Sequence, residues 1–256
     1  MSPLTKDSSS FVAELEVKQE FQILNALVVQ PDSSTEDAVQ QILNITSAFI
    51  KDPTSLGNHL YNTACCLLEI AARTPSVQQP KLVTFVYLLQ KRTVTDPATS
   101  EPLRHDGDLI WTELPTFGYT FADELGSFNP LASNITNDES RRWENATAFF
   151  AQLTAASANT DFSLWALTAF QYAFGPWETP TSPTDIAVRA ACLWYVYAAD
   201  RLWTHVDNDQ QLDYKRGKWD RYKQCLIDSQ SEFTDVGTRK IIGDALAQIK
   251  RVEAED

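Results

Sequence analysis

Glycine is scarce in this chain, eight residues in 256. None of the eight stands in a G-x-G-x-x-G, P-loop or G-x-S-x-G pattern. Phosphate-cradling loops and the nucleophile elbow therefore lack support, and with them a nucleotide cofactor. Cysteine is equally thin. Cys65, Cys66, Cys192 and Cys225 form no C-x-x-C, and the adjacent pair is poor spacing for a metal. The three histidines, His59, His105 and His205, show no H-E-x-x-H. No metal and no cofactor is expected, although spacing has no bearing on a triad assembled in space.

Positive charge is also short. Lys and Arg number 21 against 34 Asp and Glu, a net charge of −13. Nucleic-acid binding uses cations to displace counterions, so a general DNA- or RNA-binding role is disfavoured. Long apolar runs are missing too. The longest candidates, Leu82–Leu89 and Ala190–Ala199, fall short of the ~20 residues of a membrane span. The first residues have no apolar core of signal-peptide length. These absences lead us to expect a cytoplasmic or nuclear protein with reduced, buried thiols. The Asn-x-Thr triplets at Asn44, Asn134 and Asn145 then read as chance matches.

What the chain has is helical periodicity and an ample apolar fraction, 43%. A helix is expected from Phe11 to Val29. Ser33 and Glu36 resemble a capping box before the stripe Val39, Ile42, Leu43, Thr46, Phe49, Ile50. Leu60, Ala64, Leu67 and Ala71 follow, ending before Pro75. Leu82–Leu89 reads as a helix opened by Pro80, although its branched residues also suit a strand. From Thr93 to Thr136 prolines and glycines break the pattern, yet Trp111, Phe117, Tyr119, Phe121 and Phe128 make the stretch too aromatic for a solvated linker. It is expected to pack on helices as a lid or pocket wall. Helices resume at the Thr136–Glu139 capping box, continue through Trp143–Leu153 and Phe162–Ala173, and reach a central helix capped at Ser182–Asp185. After a polar turn at Asp207–Asp213 come Trp219–Ser229 and a last helix from about Asp235 to Ala254.

The expected fold is all-α: a single-domain multi-helix array, residues 1–256, around a central apolar helix. An N-terminal helical half (11–92) and a C-terminal half (137–256) flank a long irregular aromatic-rich insertion (93–136).

Leu109–Phe117 (LIWTELPTF), Arg141–Leu153 (RRWENATAFFAQL), Ala190–Trp203 (AACLWYVYAADRLW) and Gly217–Leu226 (GKWDRYKQCL) carry a resemblance. So do Thr238, Arg239 and Ala245 of the last helix. Together they resemble a family of filamentous-fungal proteins known only as a domain of unknown function. Two departures stand out. Lys218 leads the Trp219-Asp220-Arg221-Tyr222-Lys223 motif where the family has arginine. Ala199-Asp200 stands where a small residue, often glycine, is usual. The resemblance implies a fungal, intracellular, helical protein and no particular activity.

The central helix is apolar on almost every face, yet it carries Arg189, Asp200, Arg201 and His205. Buried charges need partners. Arg201 and His205 are one turn apart, on a face shared with Trp194 and Tyr197. Trp111, Trp143, Trp194, Tyr197, Asp200, Arg201 and His205 therefore form the candidate pocket. In one reading it is an aromatic cavity with a polar end, in which Asp200 or His205 moves a proton. The competing reading is core packing plus ion pairs, with Arg141 or Arg221 as the partner of Asp200. The basic run Lys215, Arg216, Lys218, Arg221 and Lys223 suits a phosphate or an acidic partner, but also a solvated helix start. Asn137–Glu144 resembles the magnesium motif of terpene cyclases, one residue short at Ser140 and Glu144. That slip turns the ligands by ~100° each, and the reading is rejected. Two functions follow. One is a small-molecule-binding accessory protein or cofactor-independent enzyme of fungal metabolism, with an apolar small molecule in the pocket. The other is an all-helical interaction scaffold for a protein partner.

Overall fold

The computed structural model describes residues 9–175, 184–208 and 214–255. Among them are eleven α-helices and one two-stranded hairpin, so the all-α class holds. The chain divides into two compact units, Met1–Phe128 and Asn129–Asp256. Most of the irregular stretch belongs to the first unit.

The first unit opens with α1 (Ser9–Glu16) and α2 (Gln19–Val29), where periodicity predicts one helix. The break lies at Val17–Lys18, with Lys18 extended. Leu15 and Leu24 are both fully buried. At ~100° per residue, one straight helix would point them in opposite directions, so the break turns both inward. The next helix, α3 (Thr35–Phe49), is capped by Ser34, whose Oγ accepts from the Asp37 N–H at 3.2 Å. Ser33, the expected cap, instead donates to the Gln30 carbonyl. Asp52 and Pro53 start α4 (Pro53–Arg73), whose stripe Leu60, Ala64, Leu67 and Ala71 is completely buried. It packs on α1, α2, α3 and α6 (Phe117–Gly126). The Leu82–Leu89 ambiguity resolves as helix: α5 (Pro80–Gln90) lies on α2 and α3.

The irregular stretch is more ordered than its punctuation suggests. Arg104–His105 (β1) pairs antiparallel with Asp108–Leu109 (β2). Asp106 and Gly107, at φ 52 and 97, form the two-residue turn with both angles positive that Asp-Gly favours. Downstream, Ile110, Trp111, Leu114, Phe117 and Phe121 are buried. These residues are core of the first unit.

In the second unit, the Thr136–Glu139 capping box forms as its sequence predicts and opens α7 (Asn137–Ala156). α8 (Ser163–Phe174) closes at Gly175, φ 68. α9 (Asp185–His205) is capped by Thr184, whose Oγ1 accepts from the Ala187 N–H; Ser182 and Pro183 lie outside the described residues. α10 (Arg216–Ser229) and α11 (Val236–Ala254) complete the unit. α9 packs against α7, α8 and α11, the central position its all-round apolar character demands. It kinks at Ala198, φ −128 and ψ 17. Residues 209–213 of the expected polar turn lie outside the described residues.

Gly243 sits in mid-α11, and a β-carbon there would meet only Gln230 Nε2 at an ordinary 3.7 Å. Gly243→Ala is expected to stabilise the protein by about 0.5–1 kcal/mol, the helical disadvantage of glycine. A rise of a few degrees in Tm checks this.

Candidate functional site

Each charge on α9 has a partner on another element. Arg189 reaches α7, its Nε 2.8 Å from Glu144 Oε1 and its Nη2 2.9 Å from Oε2. This fork-to-fork geometry is the strong form of the pair. The same guanidinium lies 4.0 Å from Asp235, the cap of α11, beside Gly237, where a β-carbon would come within 3.3 Å of it. Arg189 thus ties α7, α9 and α11 together. Asp200 is exposed and takes a two-point bond from Arg251 of α11, at 2.8 and 2.5 Å. Its hydrogen bond to that guanidinium holds its carboxyl below the usual range.

Arg201 and His205 do converge, as their spacing predicts, and the group between them is Asp161. Asp161 Oδ2 accepts from Arg201 Nε at 2.9 Å and lies 2.8 Å from His205 Nε2. Partial burial raises the pKa of Asp161, but the hydrogen bond from the Ser163 N–H and the His205 contact bring it below its ordinary value. Of the other candidates, Trp143 and Trp194 are buried on α7 and α9, and Tyr197 is half-buried. Trp111 belongs to the first unit.

The surroundings of α9 are filled by aromatic rings. Tyr195 stacks on Phe170 at 4.7 Å, and Trp219 meets Tyr195 edge-on at 5.2 Å and Trp203 at 5.0 Å. The basic run is tied down as well. Arg216 lies over Trp203, Lys223 pairs with Glu253 at 2.7 Å, and Arg221 donates to the Gly175 carbonyl.

Sequence reasoning missed a second polar cluster, buried in the first unit. His59 Nδ1 lies 2.6 Å from Glu20 Oε1, and His59 Nε2 lies 3.1 Å from Thr46 Oγ1. Trp111 Nε1 donates to the same oxygen at 3.0 Å. All four residues are buried. Carboxylate, imidazole and hydroxyl stand in the order of a hydrolase relay, but the hydroxyl is fully shielded from solvent. The carboxylate can only accept, so Nδ1 carries a proton. The Thr46 hydroxyl has two outlets, Nε2 and the Ile42 carbonyl at 2.9 Å, so the network is satisfied with or without a proton on Nε2. One signal was available: Glu20 falls in register with buried Leu24 and Leu27 on α2.

Among the described residues, no group of three His, Cys, Asp or Glu side chains is placed to hold a metal. No helix of these residues is long and apolar enough to cross a membrane. The four cysteines form no disulfide, and burial pushes the Cys65 thiol up to about 11, away from thiolate reactivity.

An open groove lies between α2 and α3, with a volume of about 700 Å³. Leu27 and Ala38 form its buried floor, and Gln22, Gln41 and Asn44 stand exposed along it.

The profile of a family described as protein of unknown function (DUF3632) matches residues 65–237, more than half of the chain. No curated protein and no solved structure matches it.

Proposed function

This chain belongs to the family of proteins of unknown function (DUF3632), and from that premise we propose that it works by binding another protein, without chemistry of its own. The observation that carries the reading is the use made of the polar residues on α9. Asp161 takes up both Arg201 and His205, and Arg251 takes up Asp200. Side chains that would orient a substrate are spent on joining helices. Structural ion-pair networks engage acids and bases in this way without any chemistry. The expected fungal origin and cytoplasmic or nuclear location are compatible with this role.

One observation favours the other reading, a small-molecule protein. The Tyr195 hydroxyl is fully buried and has no partner among the described residues. An orphan hydroxyl costs about 1–3 kcal/mol, a cost that a bound ligand would remove.

Tyr195→Phe separates the two. If the chain is a scaffold, the substitution removes an unsatisfied group, and Tm stays level or rises. Native mass spectrometry of the purified protein then shows the bare chain, and photo-crosslinking in the producing cells traps a protein complex of fixed stoichiometry. A one-to-one small molecule that the wild type retains and Tyr195→Phe loses would overturn the proposal.

A further inference from the structure

The groove between α2 and α3 has a construction that specifies an occupant. Ile23, Ala26 and Leu27 on α2 face Ala38 and Ile45 on α3 across an apolar floor. Carboxamides stand on both rims: Gln19, Gln22 and Gln30 on one side, Gln41 and Asn44 on the other. All five are exposed. A carboxamide both donates and accepts, so paired rims can meet the N–H and C=O groups of an extended backbone. A helical guest keeps those groups for itself and would leave the rims idle.

The length agrees. From Gln19 to Gln30 the rim runs about 16 Å at the helical rise, which an extended strand covers with about five residues. The charge is one-sided. Asp32 and Asp37 lie at the turn end, and among the described residues no lysine or arginine lines the groove. The nearby cation, Lys81, is held by the carbonyls of Pro31 at 2.7 Å and Ser33 at 3.1 Å. It bonds these oxygens and the Ser33 hydroxyl, and both carboxylates are without an ion pair among the described residues.

We infer that the α2–α3 groove binds an extended segment of about five residues from a partner protein, with small aliphatic side chains on the floor and a lysine or arginine between Asp32 and Asp37. The inference rests on the proposed binding role and assigns it a place. The groove lies at residues 19–45, outside the part of the chain that matches the family.

The test uses the full chain and a positional-scanning library of pentapeptides flanked by Gly-Ser. Wild type should select Lys or Arg at one terminal position and Ala or Val at the centre, with binding that weakens as salt rises. Ala26→Arg, which fills the half-exposed floor, should weaken selected peptides at least tenfold at unchanged Tm. Asp37→Lys, which sets a cation beside the remaining Asp32, should abolish the terminal preference for a basic residue. No selection by the wild type, or selection that neither substitution alters, overturns the inference. Crosslinking in cells keeps the two levels apart. A complex trapped equally by wild type and Ala26→Arg sinks the groove and leaves the binding role standing, whereas loss of every complex from the wild type sinks both.

Discussion

Trp194→Ala will destabilise the second unit by about 3–5 kcal/mol, the range for emptying a buried aromatic site. The ring is 1% exposed and sits on the helix that α7, α8 and α11 all contact. A close-packed interior relaxes only in part around such a void. Alanine is the better helix former, so propensity works against the loss and any large fall is due to packing. Tyr197→Ala supplies the control. It stands one turn further along the same helix and is half-buried, so its cost should be well below half that of Trp194. Thermal and denaturant melts of both variants check this; equal losses, or no loss at Trp194, would remove α9 from the core.

The centrality of α9 was legible because it rests on composition alone: over Ala190–Ala199 almost every face is apolar, so little of that stretch can be left in water. The capping box at Thr136 was legible for a similar reason, since its signal lies within four residues. What escaped depends on direction in space. The break between α1 and α2 shows only when Leu15 and Leu24 must face the same way. Asp106-Gly107 did carry a hairpin signal, but the prolines and glycines around it made the stretch look irregular throughout. The sequence offers Arg141 or Arg221 as the partner of Asp200. Arg141 instead closes a local pair with Asp138 at 2.5 Å, and Asp200 finds Arg251, 51 positions away, because α11 lies along α9. Sequence showed that the charges of α9 needed partners. Which helices supply them follows from the order of packing, which no local pattern encodes.

The same limit hid the Glu20–His59–Thr46–Trp111 cluster, whose members come from α2, α4, α3 and the loop before α6. It supports the second large prediction. His59→Leu strands a carboxylate in the core, and breaking a buried pair from one side costs about 3–5 kcal/mol. Thr46 also loses a partner, and with it the bond that holds the Trp111 indole weakens. Trp111 sits at φ +66, a conformation that costs about 1–3 kcal/mol and persists only where its surroundings enforce it. The loop should therefore loosen with the pair, seen as faster amide exchange over residues 104–116. Glu20→Leu/His59→Leu together should recover most of the loss, since a buried pair replaced on both sides by apolar groups is often neutral. The pH dependence gives an independent check. Burial raises the pKa of Glu20, but the hydrogen bond and charge of His59 bring it below its ordinary value. A carboxylate depressed by folding contributes stability that is complete above its unfolded pKa of about 4.3 and is lost as pH falls through the folded value. Wild type should therefore lose stability more steeply than the double variant as pH falls below about 4. Parallel acid profiles for the two would show that the pair contributes nothing, and a single His59→Leu variant as stable as wild type would show the same at neutral pH.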